Sequence, residues 1–454
     1  MFRSTLFSAI LILAACSPSA SIDVASRALP ASDDLPPMKV FSTAQVTPPQ
    51  RSNRQIATDF MDLSFQLESG RTIPRFTRFE GPISVRVTGA QAPASLMPDL
   101  SKLLARLRNE AAIPISLTKS ANANITIEVI TRKTLKKFVP SAACFVVPRV
   151  SSWAEYRAER RGSTLDWTSL QTRQKVAVFI PADTSPQEIR DCLHEEVAQG
   201  LGPLNDLYRL SDSVFNDDNF HTVLTGFDML ILRAYYSSQL RSGMSKADVA
   251  SRLPAILARL NPRGEGLGQN RTRPTPRAWI KAVETSLSPA QPAMRRREAA
   301  AKSLWIAEAE GWTDGRRAFA HFIDGRLKMG TQNRKAFENF RKADALYAQM
   351  RDAQLQRAHV GVHLAAFALS EGDGEAAVAW VDLNLPAAIK SENAALLATL
   401  LMIKSEGLEL QGRHSAARTV RLDSLGWARY GFGNDREVRA RQREIASLSP
   451  ILLR

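Results

Sequence analysis

Two adjacent glutamates are followed by an amide at helical spacing near the middle of the chain. Glu195 and Gln199 are four residues apart, so a helix places them on one face, with Glu196 about 100° away. Asn205 and Asp206 follow directly after this segment. Carboxylate and amide oxygens suit a hard divalent cation, and a carboxylate can act as a general base. Gly202 lets the chain turn back after this helix, so Asn205 or Asp206 can approach the face that carries Glu195 and Gln199.

These residue types are, as a set, poor ligands for zinc. His194 precedes Glu195, but Ala198 stands four residues after His194, where a two-histidine zinc site needs its second ligand. Zinc takes His, Cys or carboxylate, and the neutral amides of Gln and Asn are much weaker ligands for it. The expected cofactor is therefore a harder divalent cation or none.

The elements around this segment are predicted to form a small mixed sheet followed by one site helix. Ser185 is a good N-cap and Pro186 suits the first helical position, so a helix is expected to run to about Leu201 and to end at Gly202-Pro203. Alternation and apolar runs predict strands at 83–87, 115–117, 125–130 and 176–180, and a helix at 96–111. The fold class expected for residues 58–245 is α+β.

The site segment resembles metzincin-type metalloproteases. Glu195, Gln199 and Asn205 stand where that family has three His ligands, and Glu196 stands where it has its general base. The chain departs from the family because those His ligands and the methionine of its turn, expected near Ser213 to Phe215, are absent. The resemblance implies a degenerate zincin-like fold. It also implies Glu195, Gln199 and Asn205 or Asp206 as candidate ligands of a hard cation, with Glu196 as the candidate general base.

A closer resemblance is to domain-of-unknown-function family 2927, a group of proteobacterial lipoproteins. It is carried by the site segment, by Ser213 to Asp217, by Leu224 to Asp228 and by the Gly243-Met244 pair. It covers about residues 80 to 245 and implies a fold more readily than a reaction.

Three functions are compatible with these patterns. The first is a binding or scaffolding module of the cell envelope built on a degenerate zincin-like domain. The second is a metal-dependent peptidase or peptidoglycan-peptide hydrolase, in which Glu196 deprotonates a metal-bound water. The third is a protein whose C-terminal helical region does the work by binding protein partners.

The N-terminus predicts export and lipidation. Residues 1–15 combine a basic start with a short apolar run, which is typical of a secretory signal. The run ends at Cys16, and the Leu-Ala-Ala-Cys sequence resembles a bacterial lipobox in which that cysteine carries the lipid. Ser17 after it implies an outer-membrane lipoprotein facing the periplasm. Residues 16–57, rich in Ser, Pro, Ala and Asp, are expected to form a flexible membrane tether.

Composition and charge limit the classes of partner that are expected. Hydrophobic residues make up 44% and charged residues 23% of the chain, which excludes a mainly disordered or collagen-like protein. The net charge is +15, and 259–342 holds 18 Lys or Arg against 8 Asp or Glu. In an exported protein this basic region favours anionic lipid or glycan, and nucleic acid is not expected. An envelope protein or peptidoglycan is the other expected partner.

Cysteine usage agrees with an exported protein. Once Cys16 is lipidated, only Cys144 and Cys192 remain. In an oxidising compartment they can form one disulfide, and the alternative is two buried free thiols.

The C-terminal half is expected to be entirely helical. Residues 246–290 are expected to form a basic linker with a helix, and 291–454 a tetratricopeptide-like region. Gly330, Gly372 and Gly412 recur at spacings of 42 and 40 residues, which is typical of helix-turn-helix repeats. An irregular helical bundle is the alternative.

Overall fold

An α+β half precedes an all-helical half in the computed structural model, which describes residues 35–42, 47–89, 92–140, 142–268 and 273–450. The α+β half contains α1 (Asn53–Phe65), β1 (Ile83–Gly89), α2 (Leu96–Ala111), β2 (Ile115–Leu117), β3 (Ile125–Ile130), α3 (Arg132–Phe138), β4 (Phe145–Pro148), α4 (Trp153–Glu159), β5 (Val176–Pro181), α5 (Pro186–Leu201), α6 (Gly226–Tyr235) and α7 (Lys246–Leu260). The helical half contains α8 (Arg277–Leu287), α9 (Ala293–Ala309), α10 (Gly315–Lys328), α11 (Asn333–Ala348), α12 (Gln354–Ser370), α13 (Gly374–Lys390), α14 (Ala394–Leu410), α15 (His414–Gly431) and α16 (Asp435–Ala446).

The five strands form one mixed sheet in the order β2-β1-β3-β5-β4. β1, β2, β3 and β5 are parallel to their neighbours, and β4 pairs antiparallel with β5 at the edge. β5 is buried along its whole length, as expected for a strand covered on both faces. The predicted mixed sheet is confirmed. The sequence patterns did not predict β4, whose four residues are too few for a clear alternation.

α5 is fixed at its first turn by its cap. Ser185 accepts a hydrogen bond from the backbone N–H of Glu188 at 3.2 Å, which satisfies one of the free donors at a helix start. The Glu188 carboxylate binds Thr184 and Arg132. The predicted start and end of this helix are confirmed.

The C-terminal end of α5 is held by one buried guanidinium. Arg173 is 3% exposed and donates to the carbonyl oxygens of Gln199 at 2.6 Å, Gly200 at 2.8 Å and Gly202 at 2.5 Å. These carbonyls belong to the end of a helix, where partners are missing and the dipole is negative. Arg173 therefore supplies both the missing donors and the charge that this end needs.

A disulfide links α5 to the segment just before β4. Cys144 and Cys192 are bonded with an Sγ–Sγ distance of 2.07 Å. Leu193, Val197 and Leu201 of α5 lie in the hydrophobic core beneath the sheet, together with residues of β1, β3 and β5. α5 is therefore attached to the sheet by packing and by a covalent bond.

Part of the segment expected to be a tether is packed against the helical half. Phe41 stacks on Trp427 of α15 with ring centroids 4.5 Å apart, and the Lys39 N–H donates to the Gly426 carbonyl at 2.9 Å. α1 already begins at Asn53. The difference from the expected tether over 16–57 arises because composition favoured an extended chain, while Phe41 has an aromatic partner far along the sequence. Cys16 and residues 1–34 lie outside the described residues.

The sequence predicted that the α+β half ends at residue 245, but the packing extends this half through α7. α7 buries Val249, Leu253, Ile256 and Leu257 in the core of the α+β half, at the spacing of one helix face. This helix therefore packs with α1 and α6, and the connection to the helical half follows it.

The helical half consists of antiparallel helix pairs. α8 packs on α9, α10 on α11, α12 on α13 and α14 on α15. Gly330, Gly372 and Gly412 have φ values of 76°, 81° and 72° and stand in the turn before the second helix of a pair. Glycine adopts this left-handed conformation at little cost, so the predicted repeat marks equivalent turns.

The two halves share a core. Tyr208 and Phe220 of the α+β half pack among the aromatic residues of α8 and α10. Gln356 of α12 donates to the Ser211 carbonyl at 2.6 Å, and Arg190 of α5 pairs with Glu392 at 3.1 Å. First helices of the pairs therefore contact the α+β half, and so does α15, whose Tyr430 donates to Asp99 of α2 at 2.7 Å.

Two histidines on α12 belong to this packing. The ring of His359 lies 4.5 Å from that of Phe220, and the ring of His363 lies 4.4 Å from that of Phe340. Burial lowers the pKa of each histidine to about 3, so both are neutral near pH 7. Packing between helices is their role here.

No helix within the described ranges has the length and apolar character to cross a membrane.

We expect Arg173→Ala to lower the free energy of unfolding by about 2–4 kcal/mol, because three carbonyl oxygens lose a buried charged donor. Arg233→Ala on the exposed side of α6 is the matched control and should cost about 0.5 kcal/mol or less. Urea unfolding measures both. Equal midpoints for the two variants would show that Arg173 does not hold the end of α5.

Candidate functional site

The predicted site residues on α5 are brought next to the loop that follows the helix. Glu196 and Gln199 are buried, and Glu195 is half-buried. The Gln199 Nε2 donates to Asp206 Oδ2 at 3.3 Å. The structure therefore brings Gln199 and Asp206 together, as the turn at Gly202 predicts.

Asn205 points elsewhere. Its Nδ2 donates to the backbone carbonyl of Asp62 in α1 at 3.0 Å, and the residue is 5% exposed. This bond ties the loop after α5 to α1. The Nδ2 of Asn205 is therefore used in a structural contact, and the ligand role that the family resemblance implies for its oxygen stays a prediction.

Two further carboxyl groups, which the sequence patterns did not single out as ligands, act on the site. Glu68 lies in the turn after α1, and Asp217 lies in the loop before α6. Both negative charges act on Glu195 and on Asp206. Asp217 stands in a motif that carries the family resemblance, whereas nothing around Glu68 in the sequence indicates a site. We call Glu68, Glu195, Glu196, Asp206 and Asp217 the carboxyl cluster.

The surroundings of the carboxyl cluster favour the protonated form of its carboxyl groups. Burial, with the charges of Glu68 and Asp217, raises the pKa of Glu195 to about 7. Burial also raises the pKa of Glu196 and of Asp206 well above the usual range, and the neighbouring carboxylates act in the same direction. Desolvation and like charges both disfavour the ionised form.

The carboxyl cluster is only partly supplied with hydrogen-bond donors. Gln199 donates to Asp206 and Tyr208 to Asp217, and Glu68 is exposed to solvent. Among the described residues, no Lys, Arg or His forms an ion pair with any of the five members, although the charge of Arg277 acts on Asp217, and no group donates a hydrogen bond to Glu196. Asp206 Oδ1 is buried without a partner. Buried acceptors without donors are costly and uncommon.

The carboxyl cluster lies where the two halves meet. Tyr208, which hydrogen-bonds to Asp217, packs against Trp279 of α8 with ring centroids 5.0 Å apart. Arg277 at the start of α8 donates to the Glu68 backbone carbonyl at 2.7 Å. The helical half therefore forms one wall of this site.

The described residues do not show a formed metal site. Within the described parts of the chain, no three His, Cys, Asp or Glu side chains are placed to hold an ion. The side-chain nitrogens of Gln199 and Asn205 donate within the protein, and these bonds do not use their oxygens. The ligand set of Glu195, Gln199, Asn205 and Asp206 stays a prediction.

His194 has a structural partner. Its Nδ1 accepts a hydrogen bond from the Leu224 N–H at 3.0 Å. Burial, with the positive charges of Arg106 and Arg190, holds the pKa of His194 well below the usual range. The neutral ring connects α5 to the loop before α6.

Asp228 explains two of the motifs that carry the family resemblance. It is fully buried and accepts hydrogen bonds from Ser213 Oγ, from the Val214 N–H at 3.2 Å and from the Thr225 N–H at 2.7 Å. Thr225 and Asp228 form the capping box of α6. These residues hold the turn at 213–215 against the start of α6.

Two cavities occur away from the carboxyl cluster. One of about 340 Å³ is lined by Arg149 and residues 170–176. The other, of about 160 Å³, lies between 47–50, the loop before α6 and the ends of α12 and α13. Neither is lined by Glu195 or Glu196.

The fold and site define an α+β domain with a mixed sheet, a site helix that carries carboxyl groups, and an attached all-helical region. Residues 53–255 match the family model described as "Protein of unknown function (DUF2927)", which supports the family resemblance of the α+β half. The match covers the site and extends into α7, to residue 255. No curated protein matches the chain. No solved structure matches it.

We expect Glu195→Gln to be more stable than the native chain at pH 8, by about 1–3 kcal/mol. Folding raises the pKa of Glu195 from 4.5 to about 7. Its contribution to stability is therefore largest below pH 4.5 and is lost as the pH rises through 7. The advantage of the variant should shrink towards pH 5.

Urea unfolding of both proteins at several pH values measures the difference in their free energies of unfolding. The buried histidines are the same in both proteins, so their contributions cancel in this difference. Glu371→Gln, at an exposed carboxylate, is the control and should show no such trend. A difference that stays constant between pH 5 and pH 8 would contradict the raised pKa of Glu195.

Proposed function

We propose that this protein is a binding module of the cell envelope, and that the carboxyl cluster holds a cationic group such as an ammonium or guanidinium of a peptide. The observation that carries the proposal is the set of carboxyl groups that have no ion pair among the described residues. An organic cation supplies several N–H donors in different directions, so it can satisfy acceptors that do not converge on one point. This favours a peptide-borne cation over a metal ion.

The location is part of the same proposal. The lipid at Cys16 would anchor the protein in the outer membrane, facing the periplasm. The disulfide between Cys144 and Cys192 supports an exported protein, because disulfides persist in oxidising compartments. An envelope protein or the peptide of peptidoglycan would supply the cationic group.

A zincin-like origin is a further part of the proposal. A mixed sheet followed directly by α5, with Glu196 in the helix and a turn at Gly202, is the arrangement that the metzincin resemblance implies. Such a fold can persist after its chemistry has been lost. Gln199 and Asn205 donate hydrogen bonds to other groups of the protein, which agrees with the loss of an ancestral metal site.

We expect a tri-lysine peptide to bind the native protein, and Glu195→Gln to weaken binding about fivefold by removing one charge from the site. Binding should be tighter at pH 8 than at pH 6, because Glu195 ionises above about 7 while lysine stays protonated. Isothermal titration calorimetry measures both effects.

Glu371→Gln removes the same charge from an exposed position and should leave tri-lysine binding unchanged. Acetylated tri-lysine, which lacks the side-chain charge, should not bind. No binding by the native protein at pH 8, or equal weakening by the two variants, would remove the carboxyl cluster as the binding site.

The alternative is the metal-dependent peptidase or peptidoglycan-peptide hydrolase with Glu196 as general base. The observation in its favour is that Glu196 is 5% exposed and receives no hydrogen bond from a described residue, so its carboxyl group is free for chemistry. Against it, burial and the charges of Glu195 and Glu68 raise the pKa of Glu196 well above its usual range, which disfavours the ionised form that a general base needs.

We expect neither the native protein nor Glu196→Gln to hydrolyse peptides or peptidoglycan stem peptides, with or without added divalent cations. The substitution keeps the shape of the side chain, so the fold should be retained, as circular dichroism can check. Hydrolysis by the native protein that Glu196→Gln abolishes would establish the enzyme and overturn the binding proposal.

A further inference from the structure

The second helices α9 and α11 pack on first helices, α9 on α8 and α10, and α11 on α10 and α12. Contacts with the α+β half come from first helices, such as Phe319 of α10 against Phe220 and Gln356 of α12 against Ser211, and from α15, whose Tyr430 donates to Asp99 of α2 at 2.7 Å. Large apolar side chains that are exposed on described helices after residue 277 all lie on second helices. They are Met294, Trp305, Phe337, Leu383, Ile389 and Leu422.

α9 carries the two most exposed of these side chains. Met294 is 68% exposed and Trp305 is 67% exposed. They are eleven residues apart, which is about three helical turns, so they lie on one side and about 16 Å from each other along the helix axis. The opposite side of α9 buries Ala300, Ser303 and Ile306. An exposed tryptophan and methionine on one stripe of a packed helix indicate a contact surface.

Positive charge surrounds this stripe. Arg295 and Lys302 are exposed on α9, and Lys335 and Lys342 are exposed on the neighbouring second helix, α11. Within the described residues none of the four forms an ion pair. Phe337 of α11 is 38% exposed and adds apolar surface beside them.

The carboxylates of α9 do not cancel this charge. Glu308 lies 3.6 Å from Arg317, so its charge is compensated within the helical half. Glu298 is the other acidic residue of α9, against four basic residues at 295–297 and 302. The surface formed by exposed side chains of α9 and α11, which we call the outer face, is therefore basic and apolar at once.

We infer that the outer face binds the surface of an anionic phospholipid bilayer. Tryptophan and methionine can enter the headgroup region, where an amphipathic ring is favoured. Lysine and arginine beside them attract lipid phosphates, at about 1 kcal/mol for each residue near the surface. A glycan can use the charge and can stack on the tryptophan, but it does not use the exposed methionine, so the combination favours lipid.

This contact would orient the protein. With the outer face on the bilayer, the α+β half and its carboxyl cluster lie on the opposite side of the helical half, towards the aqueous compartment. The inference does not depend on which ligand the carboxyl cluster binds, because the two surfaces share no residue.

The test uses the full chain with Cys16→Ser, so that no lipid attached at that position contributes to binding. We expect this protein to sediment with vesicles of equal parts phosphatidylglycerol and phosphatidylcholine. Vesicles of phosphatidylcholine alone should bind weakly. High salt should reduce binding to the anionic vesicles, because the Debye length falls from about 10 Å at 0.1 M to about 3 Å at 1 M.

The charge variant is Arg295→Gln with Lys302→Gln, which should lower the partition coefficient about 10-fold to 30-fold. Its matched control is Lys133→Gln with Lys136→Gln, which removes two exposed charges from α3 and should have little effect. Equal losses in the two double variants would show that only net charge matters and would overturn the inference.

The apolar part of the outer face is tested by Trp305→Ala, which should lower binding several-fold and reduce the quenching of protein fluorescence by lipids brominated in their acyl chains. Leu422→Ala, at a side chain 54% exposed on α15, is the matched control. Unchanged quenching in Trp305→Ala would contradict insertion of this residue.

Purified peptidoglycan provides the competing ligand. Sedimentation with peptidoglycan that depends on Arg295 and Lys302, without sedimentation with anionic vesicles, would make the outer face a glycan site and show the lipid inference to be wrong.

Discussion

The contact between Arg173 and the end of α5 is the constraint on which the site depends. A helix that ends inside a protein leaves carbonyl groups without donors, and burying them unpaired would be costly. Arg173 supplies these donors from the segment just before β5, so α5 can end at Gly202 and the chain can turn back. That turn brings Asp206 to Gln199. The position of the carboxyl cluster follows from this turn.

The carboxyl cluster is unfavourable for the fold whenever it is ionised. Burial raises the pKa of Glu195, Glu196 and Asp206, and no described cation pairs with them. A protein selected only for stability would place apolar or paired residues here. Groups whose pKa is shifted by burial and like charges are common at binding and active sites. The same carboxyl groups that cost stability therefore make the site attractive to a cationic ligand.

The helical half contributes to the molecule in two ways because its helices alternate. First helices pack against the α+β half, where Tyr208 and Trp279 close one side of the carboxyl cluster. The second helices α9 and α11 pack on first helices and carry the exposed apolar and basic side chains of the outer face. One repeat pattern thus produces an inner surface that completes a site and an outer surface open to a partner. The packed segment 35–42 adds a third contact, along α15.

The sequence by itself determined the local structure of this protein. Alternation predicted β1 and β3, and a continuous apolar run predicted β5. Ser185 with Pro186 predicted the start of α5, and the spacing of Gly330, Gly372 and Gly412 marked equivalent turns. These features depend on residues close together in the chain, whose conformational preferences are strong enough to read directly. Helical spacing likewise placed Glu195 and Gln199 on one face.

Only the tertiary structure decided which groups form the site. Glu68 and Arg173 are far from α5 in sequence, and no local pattern connects them with it. Asn205 was predicted to approach Glu195, but its amide binds the Asp62 carbonyl of α1, because the packing of α1 beside the loop offers a buried acceptor there. Long-range contacts of this kind depend on how whole elements pack, and packing is decided by buried surface and by satisfied hydrogen bonds summed over the fold.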